Sequence, residues 1–318
     1  MSKKSMAARR QMREATVSGR AGGARQASRG RTHRRNARSA GRPWGLISGV
    51  IGVVVAFVIV VIVVATLPGA LNQDAAVTPA PASLMQSITS VPSSTLKAVK
   101  GGDISNSPLN IPASYKPVAL SSNGLPEVAF VGAEYCPYCA LQRWSLIIGL
   151  SPFGTWSNLH LVRSSVYDSP SNLPTFTFAY GAKFTSKYVA FSSRELQSNV
   201  SINKNGSPYK TLQTVSGPVA TAFTTIDSSQ GYPFLDYAGK YVQLGSEAAS
   251  TNVAAMSGLT WNQVAQQLRN PKSVVAKEVL GGASYVTAAT CLITGQKPGG
   301  VCSQSYIKTL EQQLEKSS

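Results

Sequence analysis

The hydrophobic pattern of this 318-residue chain changes character along its length. After a polar leader, residues 44–67 (WGLISGVIGVVVAFVIVVIVVATL) run for 24 positions without a charge. At ~1.5 Å rise per residue, such a run crosses a hydrocarbon core of ~30 Å as a helix. Its β-branched residues do not count against a helix, because in lipid the backbone must satisfy its own hydrogen bonds. A cleaved signal peptide is the alternative. The apolar stretch exceeds the usual h-region of ~7–15 residues, however, and the leader is long. A retained transmembrane helix is expected. Residues 68–125 read as a spacer rich in Pro, Ser, Ala and Asn, and a short helix within 83–101 is expected to belong to the folded domain.

From Glu127 the pattern becomes α/β. EVAFVGA (127–133) predicts a buried strand, and CALQRWSLIIGLSPFG (139–154) a helix. Leu141, Trp144 and Ile148 fall at i, i+3 and i+7, one helical face, with Ile147 beside them. NLHLVRSS (158–165) predicts a second strand, with His160 as a strand residue rather than a ligand. Residues 175–196 have strand composition with a turn at Gly181. GYPFLDYAGKYVQLG (231–245) reads as strand, turn at Gly239, strand. Residues 260–270, 272–295 and 306–316 predict helices.

Charge adds a direction. Of 30 Lys and Arg, thirteen lie in residues 1–43, against one acid, Glu14. The next charge after the apolar run is Asp74. By the positive-inside rule the N-terminus is expected to be cytoplasmic and residues 68–318 extracytoplasmic, in a single-pass protein of the cell membrane held to lipid through residues 44–67. The arginine-rich tail, which includes His33, has no hydrophobic period and is expected to be disordered. No aromatic residues interleave with its arginines. It therefore reads as a topology signal touching lipid headgroups, and no specific nucleic acid partner is expected.

The chain has four cysteines. Cys136 and Cys139 form a C-x-x-C at a strand-to-helix junction. The first cysteine then sits at a helix N-terminus, where free N–H groups and the helix dipole favour its thiolate. Pro137 suits the first turn, since its missing N–H would be unpaired there anyway. Cys139 lies one turn on and can resolve a mixed disulfide. Three readings stand: a redox centre, a structural staple and half of a zinc site. Zinc usually needs a second C-x-x-C or a His pair, and haem attachment needs His at position 140, which is Ala. No metal and no cofactor is expected. Cys291 and Cys302 bracket a Gly- and Pro-containing turn and read as a structural disulfide on an oxidising side, with a second redox pair as the alternative.

AEYCPYC (133–139) resembles the active site of the thioredoxin superfamily. Pro137–Tyr138 is the dipeptide found in glutaredoxins, and the extracytoplasmic placement suggests the DsbA-like thiol oxidoreductases. GYPFLDYAGKYV resembles the superfamily's cis-proline strand and hairpin. That alignment makes Pro233 the cis-proline, with Pro174 as a rival. The resemblance implies an α/β fold class: a thioredoxin-like domain over residues 126–318, with an insertion between the C-x-x-C helix and the cis-Pro strand, joined to one N-terminal transmembrane helix. It implies Cys136 as attacking thiolate, Cys139 as resolving thiol, and Pro137, Tyr138, Tyr232 and Pro233 along a substrate groove. The TCLITGQKPGGVC ending adds a likeness to membrane-anchored thioredoxin-like families without an assigned function.

In the superfamily a buried acid often precedes the first cysteine on its strand. Here that strand offers Phe130 and apolar neighbours, Glu134 is expected to point elsewhere, and Glu127 is a weak substitute. The function implied is dithiol–disulfide exchange with cysteine-containing exported proteins or a membrane electron-transfer partner. The alternative is a non-catalytic interaction module of the cell envelope, with both cysteine pairs as staples.

Overall fold

The structure, a computed structural model, describes residues 77–104, 109–110, 116–227, 229–245 and 252–316. The basic tail, the uncharged run 44–67 and the first part of the spacer lie outside these residues.

The described chain opens with a short strand, β1 (Thr78–Pro79), and two helices, α1 (Ala82–Thr89) and α2 (Ser93–Val99). Leu84, Ile88 and Val99 on these helices are buried in the main core, so this part of the spacer packs on the folded unit. Next come β2 (Leu109–Asn110), β3 (Ser121–Ser122) and β4 (Leu125–Gly132), which leads into α3 (Pro137–Leu150). The following stretch holds β5 (Gly154–Ser157), β6 (His160–Arg163), β7 (Pro174–Thr177), β8 (Lys183–Ser186) and β9 (Ala190–Glu195). It continues with β10 (Gln197–Ser201), β11 (Tyr209–Thr211) and α4 (Gly217–Ile226). A hairpin of β12 (Phe234–Tyr237) and β13 (Tyr241–Leu244) follows. The helices α5 (Trp261–Gln267), α6 (Val274–Ile293), α7 (Gly299–Cys302) and α8 (Ser305–Lys316) come last.

β4 is the centre of the largest sheet. β9 runs parallel beside it, with Glu127 opposite Ala190 and Gly132 opposite Glu195. β12 runs antiparallel on its other side, with Phe234 opposite Val131 and Tyr237 opposite Val128. β13 pairs with β12, and β2 with β13. The period of two decides what each face does. Val128, Phe130, Leu235 and Tyr237 face the main core. Val131 and Phe234 face the other way and pack with Ala222, Phe223 and Ile226 of α4.

The fold departs from the expected thioredoxin-like class. The fold is mixed α/β, and the described residues form four separate sheets rather than one thioredoxin-like sheet carrying an insertion. Of the strands between α3 and the hairpin, only β9 joins β4 in the main sheet; β6 and β7 form a sheet with β1, and β5–β8 and β10–β11 form pairs. The expected transmembrane helix, residues 44–67, lies outside the described residues. Among the described residues no helix is long and apolar enough to cross a membrane. The longest, α6, carries Lys277 and Glu278 and is a core helix.

α6 and α3 form the main helix pair. Their approach needs a glycine: a Cβ on Gly149 would lie 2.6 Å from the Ala283 oxygen and 2.7 Å from the Val286 Cβ. Ser145 and Thr287 tie the two helices through hydroxyl bonds to Val279 O and Gly149 O, at 3.1 and 3.0 Å. Squeezed between α6 and β7, α3 is buried on nearly every side rather than on the single face expected. That arrangement holds the first turn of α3 in place at the end of β4.

Candidate functional site

The dithiol sits where β4 ends and α3 begins. Cys136 is the N-cap of α3, with extended backbone, and Pro137 occupies the first helical turn. The Cys139 N–H donates to Cys136 Sγ at 3.2 Å, so the sulfur takes one of the helix's unpaired donors. Both cysteines are free thiols. Cys136 is 6% exposed and Cys139 is fully buried, so only Cys136 offers an approach from outside. Gly132 leaves the room for Cys139: a Cβ there would sit 3.1 Å from its sulfur.

The two sulfurs are electrostatically unequal. Burial alone would raise the Cys136 pKa. The Cys139 thiol and N–H, then the Arg143 charge and the Tyr138 N–H, outweigh it, and the net direction is down. Burial and the Cys136 sulfur push the Cys139 thiol well up. This is the asymmetry an attacking and a resolving thiol require.

Pro233 is the proline at the site. The Tyr232–Pro233 peptide is cis, and the Tyr232 carbonyl oxygen lies 4.0 Å from Cys136 Sγ. Pro174 is not cis and lies elsewhere: it opens β7, and its carbonyl accepts the Trp144 indole N–H at 2.9 Å. Tyr138 and Tyr232 are half-buried, and Pro137 and Pro233 are buried. Two rings not foreseen from the sequence extend this rim. Tyr209 stacks on Tyr135 at 4.1 Å, and Phe223 stacks on Tyr232 at 6.3 Å. Cys291 and Cys302 form a disulfide that joins the end of α6 to α7, away from the dithiol. His160 is a residue of β6, its Nδ1 2.9 Å from the Asn158 carbonyl. Among the described residues no group of three or more His, Cys, Asp and Glu is placed to hold a metal ion.

The profile of a family described as Domain of unknown function (DUF929) matches residues 112–292. The chain belongs to this family. The matched region contains the dithiol, the Tyr232–Pro233 peptide and Cys291, whereas Cys302 lies beyond it. No curated protein and no solved structure matches the chain.

Three charged residues close to the dithiol in the fold or the chain, Glu134, Arg143 and Glu195, are buried, which the sequence did not reveal. Glu134 is fully buried, with Thr177, Asn199, Arg143 and Glu195 as the groups that act on it, and burial, with Glu195 adding, pushes its pKa up to about 7. Arg143 is fully buried and forms a two-pronged ion pair with Glu195, also fully buried, at 2.8 and 2.6 Å. One signal was available for Arg143. A lone charge stands four residues after Cys139 in an otherwise uncharged helix, and therefore on its side.

Another buried acid, Asp236, lies on β12. Its Oδ1 accepts the Gly239 N–H at 2.6 Å and its Oδ2 has no partner. Burial raises its pKa from 3.8 to about 7. Between those values the folded chain binds more protons than the unfolded one, so this group's stabilising contribution is full below pH 3.8 and is lost as pH rises to about 7. Asp236→Asn keeps the acceptor for Gly239 and removes the charge. Its stability relative to wild type should improve by about 3–4 kcal/mol between pH 4 and pH 8, in urea titrations at each pH. A difference that does not change with pH would show that this carboxyl ionises freely in the fold.

Proposed function

We propose that this protein exchanges dithiols and disulfides through Cys136 and Cys139. The observation that carries the reading is the free Cys136 thiol at the N-cap of α3, with the Cys139 N–H aimed at its sulfur. In the reducing direction the Cys136 thiolate attacks a substrate disulfide, forms a mixed disulfide and releases one substrate thiolate. Cys139 then loses its proton, attacks Cys136 Sγ and releases the second. Two electrons pass to the substrate, and the oxidising direction is the reverse. The Cys136 sulfur that holds the Cys139 proton in place loses its negative charge in the mixed disulfide, which frees Cys139 to act.

Pro137, Tyr138, Tyr232 and Pro233 line the approach, where the Tyr232 carbonyl is available to a bound peptide. The substrates we infer are cysteine-containing exported proteins or a membrane redox partner. Support comes from the Cys291–Cys302 disulfide, a bond that persists in oxidising compartments.

A second reading is favoured by one observation, the near-complete burial of Cys136. It makes the domain a non-catalytic interaction module with two staples. The reduction potential separates the two readings. The full-length protein is equilibrated in glutathione and then in stronger dithiol buffers, and free Cys136 and Cys139 are counted by peptide mass. An exchange enzyme titrates between about −120 and −270 mV. A couple still oxidised well below about −300 mV is a staple, and the catalytic reading falls.

A further inference from the structure

Arg143 reaches the dithiol from the second turn of α3. It lies four residues beyond Cys139 and seven beyond Cys136, and therefore on their side of the helix. Helical side chains lean toward the N-terminus. The guanidinium accordingly extends back to the loop before the dithiol, where Nη2 donates to the Ala133 carbonyl at 2.7 Å. The same carbonyl accepts the Cys136 N–H at 3.2 Å, so the cation and the attacking cysteine's backbone share one oxygen. Glu195 fixes the other side. Its place at the end of β9 is set by its register against Gly132, and it grips Nε and Nη2.

A role in stability alone explains this pair poorly. Burying two charges usually stabilises a protein no better than apolar residues of the same volume. Here Arg143 Nη1 has no hydrogen-bond partner, which adds to the cost, and the attraction of the Phe130 ring, its centre 5.8 Å from the guanidinium, offsets only part of it. In so dry a site a charge acts strongly on its neighbours. Those neighbours include Glu134 and the two sulfurs: the guanidinium favours the thiolate of both Cys136 and Cys139.

We propose that the Arg143–Glu195 pair is the electrostatic positioning element of the dithiol, its guanidinium stabilising the reduced, thiolate form and so directing the couple toward oxidising substrate dithiols. This rests on the exchange function proposed above. The step balances as follows. The Cys136–Cys139 disulfide takes two electrons from a substrate dithiol. The substrate's disulfide forms, Cys136 leaves as thiolate, one substrate proton goes to Cys139 and the other to water. A low-molecular-weight disulfide, such as glutathione disulfide, recharges the pair.

The test uses full-length protein and opposite charge changes. Arg143→Met with Glu195→Met removes the cation without leaving a buried carboxylate unpaired. Its thiol–disulfide equilibrium with glutathione should shift about tenfold toward the oxidised protein, about 30 mV more negative, and the pH profile of Cys136 alkylation should move up. Glu195→Gln leaves the cation less neutralised and should shift both readouts the other way. Arg143→Lys, which keeps the charge, should stay near wild type and serves if the double variant does not fold. A merely structural role moves Met/Met and Gln in the same direction or not at all, and either result overturns the inference while the exchange function stands. A wild-type couple below about −300 mV overturns both.

Discussion

Full-length protein with Cys139→Ala accumulates mixed disulfides through Cys136, and Cys136→Ser protein accumulates none. The two variants should also lose catalytic turnover together, to about a thousandth of wild type or less, because nucleophile and resolving thiol act as one unit. Trapping separates them. Cys136 alone has solvent access and a lowered pKa, so the first covalent step needs only that sulfur. Cys139 is fully buried and held protonated, so its loss stops the reaction after that step. Non-reducing gels of cells producing each variant, followed by mass spectrometry of the adducts, give the comparison. An absence of adducts on the Cys139→Ala protein, with wild-type folding, would favour the interaction module.

The second large effect is on stability. Trp144→Ala should cost about 3–5 kcal/mol, the usual range for a large aromatic side chain removed from a core. Trp144 is fully buried on α3, its ring meets Phe176 edge-on at 4.7 Å, and its indole N–H satisfies the Pro174 carbonyl. Alanine would leave a cavity between α3 and β7 and take that carbonyl's partner away. Trp144→Phe keeps most of the ring and loses mainly the hydrogen bond, so about 1–2 kcal/mol is expected. At roughly 2–4 °C per kcal/mol for a unit of this size, the alanine variant should melt about 10 °C below wild type. Equal losses in the two variants would mean that the hydrogen bond, and not the packing of the ring, holds α3 to β7.

Much of the site was legible because its signals are local. A C-x-x-C after an apolar strand and before a helical period places Cys136 at a helix N-terminus by chain geometry alone, and the structure has it as the N-cap. The hairpin around Gly239 and the helices near residues 260, 280 and 310 were visible for the same reason. The helix Gly217–Ile226 was not assigned from the sequence. Its apolar Phe223 and Ile226 cover the back of the sheet, a need that only pairing of β4 with β12 creates.

The sequence by itself determined the dithiol, its strand-to-helix setting and the order of most elements, since these depend on residues a few positions apart. The uncharged run 44–67 also belongs to the sequence alone, and its expected helix lies outside the described residues. The tertiary structure decided what depends on long-range pairing: four sheets instead of one among the described residues, and Pro233 rather than Pro174 beside Cys136. It also decided the charges under the dithiol. Glu195 lies 52 residues from Arg143 in the chain, and only the parallel register of β9 on β4 brings the two together. A buried charge and a solvated one look alike in a sequence, because burial is a property of what the rest of the chain packs around it.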